Sequence, residues 1–157
     1  MRKIALITGA TSGIGKACAI KFAQNNYDII ITGRRKERLE DLEKELRVFG
    51  ADVLSLNFDV RNNQEVEQYL GNLSGKWQDI DLLINNAGFG VFGEFINTDL
   101  NDELNMLDVN IKSLHILTKL FLKDMVKKNK GKILNVASSA AFTSGPLFSS
   151  YYASKSY

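Results

Sequence analysis

The sequence predicts an α/β fold with a doubly wound parallel sheet. Short apolar runs alternate along the chain with longer segments that carry apolar residues at helical spacing. Glycine or a polar residue ends each apolar run, as expected where a strand passes into a loop. This alternation favours parallel strands, right-handed crossovers and helices on both faces of the sheet. The carboxyl ends of the strands then share one edge, where ligands bind in such folds.

The first strand is predicted at residues 4–7, where four consecutive apolar residues suit a buried position. Gly9 follows this strand, and Gly13 and Gly15 open a helix whose apolar spacing is given by Ile14, Cys18 and Phe22. The first N–H groups of such a helix are unpaired and lie at the positive end of its dipole. A phosphate fits there, because glycine lets it approach the backbone. A loop that merely turns tightly is the alternative for this stretch alone.

The same signals predict the later elements in order. Further strands are predicted at residues 28–32, 53–58, 80–84 and 132–137. A charged helix that Gly50 closes should bury Leu39, Leu42, Leu46 and Phe49, and a helix at residues 63–73 should bury Val66, Tyr69, Leu70 and Leu73. A helical stretch at residues 100–107 leads into a long helix that should bury Leu114, Leu117, Phe121 and Met125. Residues 89–97 and 138–150 are predicted to be loops, and another helix begins after the second loop.

The composition is that of an ordinary globular chain. Of its 157 residues, 45% are hydrophobic and 24% are charged, and the net charge is +2. This balance does not indicate nucleic acid or a membrane as a partner, and no apolar run approaches membrane-spanning length. Cys18 is the single cysteine, so no intrachain disulfide can form, as is usual in the reducing cytosol. We predict one cytoplasmic domain over residues 1–157.

Three motifs give this chain a family resemblance. The turn from Thr8 to Gly15 reads TGxxxGIG, the run at residues 85–88 reads NNAG, and Tyr151 and Lys155 form a Tyr-x-x-x-Lys pair. In this order they resemble the short-chain dehydrogenase/reductase family. The resemblance covers all 157 residues and implies a Rossmann-like, NADP-binding domain. It also implies a chain that is incomplete at the C-terminus, because the family's substrate-lid segment would lie beyond residue 157.

The residues after the second strand predict the choice of nucleotide. Sites that prefer NAD place an acid about 20 residues after the glycine turn, on the ribose 2′-hydroxyl. Here that position falls at Gly33, and Arg34 and Arg35 follow, so a 2′-phosphate meets guanidinium groups and no repelling carboxylate. In the family, NADP-preferring members carry a basic residue at the position of Arg34, and often a second one where this chain has Ser12. NADP is therefore the predicted cofactor; two arginines that simply begin a surface helix are the alternative.

The resemblance supplies the other cofactor contacts. The family's Asp-Val pair, here Asp59 and Val60, holds the adenine amino group, although Asp59 alone could equally be a helix N-cap. The NNAG run closes the floor of the adenosine site, although its residues also suit a tight turn. The predicted cofactor-binding residues are Gly9, Thr11, Ser12, Gly13, Ile14, Gly15, Arg34, Arg35, Asp59, Val60, Asn86, Ala87, Gly88, Tyr151 and Lys155.

Tyr151 and Lys155 form the predicted catalytic pair. Their spacing of four places both on one face of a helix. A tyrosine hydroxyl in general titrates near pH 10, and a neighbouring ammonium group favours the ionised form. The adjacent Tyr152 would point about 100° away around the helix, so the acid/base role is assigned to Tyr151.

Ser138 and Asn110 complete the predicted catalytic set. Ser138 matches the family's serine because it follows an Asn-aliphatic-small run at residues 135–137, and its hydroxyl would donate to a substrate carbonyl oxygen. In the family, the residue that matches Asn110 disturbs its helix and binds a water that links the lysine to solvent. His115 is the single histidine and is predicted to be an ordinary helix residue, so no serine triad is expected. No residues have metal-ligand spacing, and no metal is predicted.

The resemblance implies an oxidoreductase that transfers a hydride between NADP(H) and a small carbonyl or alcohol substrate. A catalytically silent nucleotide-binding sensor or scaffold is the first alternative, which loss of Tyr151 or Lys155 would favour. A sugar-nucleotide epimerase or dehydratase is the second, although its turn typically reads TGxxGxxG. The resemblance also implies homo-oligomers when the chain is complete, and an inactive polypeptide when it ends at Tyr157. The substrate is not identified, because the apolar loop residues could line a pocket or simply pack: Phe89, Val91, Phe92, Phe142, Leu147 and Phe148.

Overall fold

A computed structural model of the chain describes residues 2–157. Five strands form one parallel sheet: β1 (Lys3–Ile7), β2 (Tyr27–Gly33), β3 (Val53–Asn57), β4 (Leu82–Asn85) and β5 (Lys132–Asn135). Their order is β3-β2-β1-β4-β5, so the chain first builds outward from β1 in one direction and then crosses over to β4. The predicted doubly wound parallel fold is confirmed, and its switch point lies between β1 and β4.

The helices lie between the strands and after β5. They are α1 (Gly13–Gln24), α2 (Lys36–Arg47), α3 (Asn63–Val66), α4 (Leu100–Leu107), α5 (Leu114–Lys127) and α6 (Ser149–Ser156). Two π-helical segments, Glu67–Gly71 and Asp108–Ser113, continue α3 and join α4 to α5. Short 3₁₀ turns lie at Gly75–Gln78 and Ser139–Ala141.

The sheet separates two apolar cores. In β1, Ala5 and Ile7 belong to one core and Ile4 and Leu6 to the other, because successive side chains of a strand point to opposite faces. The first core includes Leu39, Leu42 and Leu46 of α2, while the second includes Leu117, Phe121 and Met125 of α5. Helices therefore cover both faces, and the loops that follow the strands remain at one edge of the sheet.

Several predicted boundaries and faces differ from the structure. Strand β3 ends one residue earlier than predicted, β4 is shifted to Leu82–Asn85, and β5 ends at Asn135. Beyond Asn85, β4 leaves the sheet because the N–H groups of Asn86 and Ala87 bond to the Thr8 side chain, so β5 loses its ladder partner.

The apolar spacing misplaced three side chains and part of one helix. Phe49 lies beyond the end of α2 and is 36% exposed, Ile14 is 60% exposed, and Leu114 is only partly buried. The predicted helix at residues 63–73 is α-helical only to Val66 and continues as a π-helical turn. None of the helices described in residues 2–157 combines the length and apolar character needed to cross a bilayer.

Candidate functional site

The glycine loop after β1 fits closely against the loop after β4. Gly9 has φ +63°, and a Cβ there would lie 2.9 Å from the Cα of Ala87. A Cβ on Gly15 would overlap the side-chain amide of Asn86 and lie 2.6 Å from the Gly9 carbonyl oxygen. Gly13 differs in its surroundings, because a Cβ there would meet only open space. Its φ of +56° still favours glycine. Two glycines thus allow the loops to touch, and the third sets a left-handed turn beside the space in front of α1.

Thr8 joins the two loops through its side chain. Its Oγ1 accepts hydrogen bonds from the N–H groups of Asn86 and Ala87, both at 3.0 Å, and donates to the Ile84 carbonyl at 3.4 Å. The Asn86 amide returns bonds to the Thr8 and Gly9 carbonyls at 2.8 and 3.1 Å. The sequence shows Thr8 only as part of the turn motif, because its partners lie more than 70 residues away.

Replacing Thr8 with valine should destabilise the fold by about 2 kcal/mol, since it leaves the partly buried N–H groups of Asn86 and Ala87 without their acceptor. Thr8 is 1% exposed, so water cannot replace the lost oxygen. Thr8→Ser keeps the oxygen and is the matched control. Urea unfolding would measure both variants. Equal stabilities for the valine and serine variants would contradict the bridging role.

A cavity of about 610 Å³ opens at the carboxyl ends of the strands. Its volume lies in the range of sites for small molecules and cofactors. It brings together most of the residues predicted to bind the cofactor, namely Gly9, Thr11, Ser12, Gly13, Ile14, Arg34, Arg35, Asp59, Val60, Asn86, Ala87, Gly88, Tyr151 and Lys155. Gly15, Asn110 and Ser138 do not line this cavity. The exposure of Ile14 is explained here, because its side chain faces the cavity rather than the core.

Arg34 and Arg35 lie on the cavity wall in different surroundings. Arg35 donates from Nε and Nη2 to the Thr11 hydroxyl, at 3.1 and 2.5 Å, and from Nη2 to the Ser12 hydroxyl at 3.0 Å. The Arg34 side chain is 64% exposed, and its Nη1 lies 3.7 Å from Asp59 Oδ2. The chain lacks a basic residue at Ser12, but Arg35 brings a guanidinium group to that turn from the end of β2.

Asp59 is held by Arg61 and does not cap a helix. The Arg61 Nη2 donates to Asp59 Oδ2 at 2.6 Å, whereas the N-cap of α3 is Asn62, which accepts from the N–H groups of Gln64 and Glu65. Partial burial by itself would raise the pKa of Asp59, but the hydrogen bonds and charge of Arg61 outweigh it and hold this pKa below its usual value. The carboxylate therefore faces the cavity in its ionised form at neutral pH.

Helix α6 carries Tyr151 and Lys155 to the same cavity. The Lys155 Nζ lies 6.0 Å from the centre of the Tyr151 ring and donates to the Val136 carbonyl at 3.1 Å. Tyr152 does not line the cavity, and its hydroxyl lies where a Cβ on Gly145 would be only 2.5 Å away. The two adjacent tyrosines therefore have different surroundings, in line with the helical register that the sequence predicts.

Asn110 is buried in the π-helical segment that joins α4 to α5. Its Oδ1 accepts from the Phe89 N–H at 3.1 Å, and its Nδ2 donates to the Phe89 carbonyl and the Ser154 hydroxyl, both at 2.9 Å. A Cβ on Gly88 would lie 3.0 Å from Asn110 Oδ1 and 3.1 Å from Lys155 Nζ, so this glycine separates the two polar groups. The π-helical turn is the helix irregularity that the resemblance implies at this position.

Ser138 lies just after β5 and faces a short turn. Its Oγ accepts from the Ala140 N–H at 3.1 Å, and its neighbours Val136 and Ala137 line the cavity while Ser138 does not.

The single histidine does not belong to the cavity wall. The His115 Nδ1 lies 2.6 Å from the Tyr157 hydroxyl. Within residues 2–157, no group of three or more His, Cys, Asp or Glu side chains is placed to hold a metal ion.

Aromatic side chains border Tyr151. The Phe148 ring lies 5.5 Å from the Tyr151 ring and 5.0 Å from the Phe92 ring, measured between centres. The Gly93 N–H donates to the Leu147 carbonyl at 2.9 Å, which ties the loop after β4 to the loop before α6. Apolar rings therefore adjoin the ring of Tyr151.

Comparisons with known proteins agree with this geometry. A family model described as "short chain dehydrogenase" matches residues 3–157. The NADP-dependent 3-hydroxy acid dehydrogenase YdfG of Salmonella typhi is 41% identical over 138 residues, which are 87% of this chain and 54% of that protein. Serine 3-dehydrogenase of Agrobacterium fabrum is 39% identical over 137 residues, which are 87% of this chain and 53% of that protein. The chain thus spans about half the length of these curated relatives.

Solved structures show the same fold. The closed form of a serine dehydrogenase complexed with NADP+ superimposes with a TM-score of 0.91 at 37% identity, over 98% of this chain and 61% of that chain. A metagenomic short-chain oxidoreductase in complex with NADP superimposes with a TM-score of 0.92 at 28% identity, over 98% of this chain and 70% of that chain.

Proposed function

The chain belongs to the short-chain dehydrogenase family, and we propose that it acts as an NADP(H)-dependent oxidoreductase on carbonyl or secondary alcohol substrates. The observation that carries this proposal is one cavity that combines the glycine loop, two arginines and the Tyr151 and Lys155 pair. When bound, the nicotinamide would supply or accept the hydride. The residues of this chain would bind it, orient the substrate and move the proton.

The cavity fits a dinucleotide with a 2′-phosphate. Unpaired N–H groups at the start of α1, next to the open space at Gly13, suit a pyrophosphate. Arg34 and Arg35 offer guanidinium donors for a further phosphate, and Arg35 keeps its Nη1 free of the bonds it makes to Thr11 and Ser12. Asp59 would accept the adenine amino group from the same wall. NADP of the relatives named above is consistent with this donor set.

Tyr151 is proposed as the group that gives the proton to, or takes it from, the substrate oxygen. Lys155 shares the cavity and would bind the nicotinamide ribose, while its positive charge would stabilise the phenolate form of the tyrosine. The Val136 carbonyl holds Lys155 Nζ from one side and leaves two of its three N–H donors for other partners. The two side chains come from consecutive turns of one helix, so both can reach the same bound cofactor and substrate.

Ser138 and Asn110 are proposed as supporting groups. Ser138 uses a lone pair of Oγ to accept from Ala140, so its own proton remains able to donate to a substrate oxygen. Asn110 is positioned beside Lys155 across Gly88, and its Oδ1 has a second lone pair for a water that would extend a proton path. Homo-oligomer formation and a cytoplasmic location remain predictions from the sequence.

The test is the absorbance at 340 nm when the purified full-length protein is mixed with NADPH and a panel of carbonyl compounds, because a polypeptide that ends at Tyr157 is expected to be inactive. The panel should include aryl ketones, because aromatic side chains adjoin Tyr151, and 3-oxo acids, because the relatives named above act on hydroxy acids. We expect oxidation of NADPH with at least one compound. A nucleotide sensor would bind NADPH and leave the absorbance unchanged with every compound.

A further inference from the structure

We propose that Arg61 is a positioning residue that fixes the Asp59 carboxylate for recognition of the 6-amino group of adenine. The proposal rests on the NADP-binding function proposed above. It concerns a residue outside the cavity wall, because Arg61 does not line the cavity while Asp59 does. Arg61 would therefore act on the nucleotide only through Asp59.

Arg61 holds both oxygens of the carboxylate. Its backbone N–H and Nε donate to Oδ1 at 3.0 and 3.1 Å, and its Nε and Nη2 donate to Oδ2 at 3.1 and 2.6 Å. Paired bonds of this kind constrain the plane of the carboxylate as well as its distance. An aspartate side chain that is free to rotate would instead lose that freedom on binding a nucleotide, at a cost in affinity.

The guanidinium group of Arg61 is itself anchored at its far end. Its Nη1 donates to Oδ1 of Asn105 on α4 at 2.5 Å, so the group spans from the loop after β3 to a neighbouring helix. The backbone of Asp59 is fixed as well, because its N–H donates to Glu65 Oε2 at 3.0 Å. The carboxylate thus has a set position relative to both the sheet and α4.

The Asp59 carboxylate can be held by Arg61 and still accept a hydrogen bond from a nucleotide base. A carboxylate offers about four acceptor positions, and Arg61 directs three N–H donors at them, because its Nε–H is shared between the two oxygens. About one acceptor position is thus left, and a ligand in the cavity that Asp59 lines would reach it there, beside Arg34 at 3.7 Å. An amino donor such as the 6-amino group of adenine fits this position, whereas a carbonyl oxygen would be repelled.

Neither the start of α3 nor the stability of the fold gives a strong reason for the Asp59 and Arg61 ion pair. Asn62 already caps α3, so the helix start does not depend on Asp59. The side chains of Arg61 and Asp59 are 28% and 24% exposed, and ion pairs with this much access to water typically add little to stability. A role in ligand recognition accounts for the geometry more directly.

The experiment compares two nucleotides that differ at the 6-position of the base and in the hydrogen that the 6-oxo form carries on N1. Calorimetry would measure the binding of NADP+ and of nicotinamide hypoxanthine dinucleotide phosphate, in which an oxygen replaces the amino group. The proteins are the parent, Arg61→Met, Arg61→Lys and the control Arg38→Met, which changes an exposed arginine on α2. Thermal melting of each protein would confirm that it is folded.

We expect the parent to prefer NADP+ by about tenfold or more, as one charge-assisted hydrogen bond would provide. Arg61→Met should reduce that preference to about twofold or less by weakening NADP+ binding alone, because the Asp59 carboxylate is no longer fixed. Arg61→Lys should give an intermediate preference, since an ammonium group cannot form the paired bonds of a guanidinium. Arg38→Met should bind both nucleotides like the parent.

Two results would overturn this proposal and leave the proposed function standing. The first is equal binding of both nucleotides by the parent. The second is an equal loss of affinity for both nucleotides in Arg61→Met, which would show a merely structural role. If the Met variant does not fold, the Lys variant decides, and an unchanged preference in that variant would overturn the proposal. A parent that binds neither nucleotide would instead contradict the proposed function, and with it the role of Arg61.

Discussion

Tyr151→Phe should reduce the rate of carbonyl reduction by about a thousandfold, as expected when a general acid is removed. The variant keeps the aromatic ring, so the contacts with Phe148 and the shape of the cavity should persist. Affinity for NADPH should stay within about twofold of the parent, because a lost hydroxyl that acts in the transition state changes turnover rather than binding. Steady-state kinetics and nucleotide titration would measure the two quantities.

Tyr152→Phe is the matched control for this prediction. Tyr152 is adjacent in sequence but does not line the cavity, so its hydroxyl should matter far less to turnover. Loss of the Tyr152 hydroxyl removes its contact near Gly145 and leaves α6 otherwise unchanged. If the two variants lost activity equally, the assignment of the acid to Tyr151 would be wrong.

The second large effect is expected at the arginines. The protein should bind NADP(H) at least about tenfold more tightly than NAD(H), a difference of about 1.4 kcal/mol. Arg34→Ala should remove most of this difference, because its exposed guanidinium has only a 3.7 Å contact with Asp59 and is free to bind a 2′-phosphate. Arg35→Ala should remove a smaller part of this difference, because the Arg35 guanidinium already donates hydrogen bonds to Thr11 and Ser12.

Calorimetry with the two nucleotides would measure these differences. The affinity for NAD(H) should stay nearly constant in both variants, since NAD carries no 2′-phosphate for either arginine to bind. Arg38→Ala is a control on α2, the helix that follows the two arginines, with an exposed side chain outside the cavity wall. Equal affinities of the parent for NADP(H) and NAD(H) would contradict the nucleotide prediction.

The sequence predicted the features that depend on local pattern. Each strand is a short apolar run, and alternation of such runs with helical segments was enough to give the parallel doubly wound sheet. The site motifs lie at strand ends, so the topology alone brings Gly9, Asp59 and Asn86 to one edge. The spacing of Tyr151 and Lys155 is also a local pattern. It predicted that both lie on one side of α6, because residues four apart share a helix face.

The features that the sequence did not predict depend on contacts distant along the chain. The Thr8 hydroxyl and the Arg61 guanidinium gain their roles from residues 78 and 44 positions away, which no local pattern reports. The direction of Ile14 also escaped prediction, because an exposed apolar side chain at a cavity has the same spacing as a core residue. The signals present in the sequence are a threonine directly between a buried strand and the glycine turn, and an arginine two residues after Asp59.

The most direct test of the central claim is the reaction of the purified full-length protein with NADPH that carries one deuterium at C4 of the nicotinamide, with each C4 diastereomer in a separate reaction, in the presence of an accepted ketone. Mass spectrometry and proton NMR of the alcohol would locate the label. We expect one deuterium on the carbinol carbon with one of the two C4-deuterated diastereomers of NADPH and none with the other, because the proposed chemistry moves one of the two C4 hydrogens as a hydride to that carbon and a proton to its oxygen. An alcohol that carries no deuterium at that carbon with both diastereomers, tested separately, would contradict direct hydride transfer.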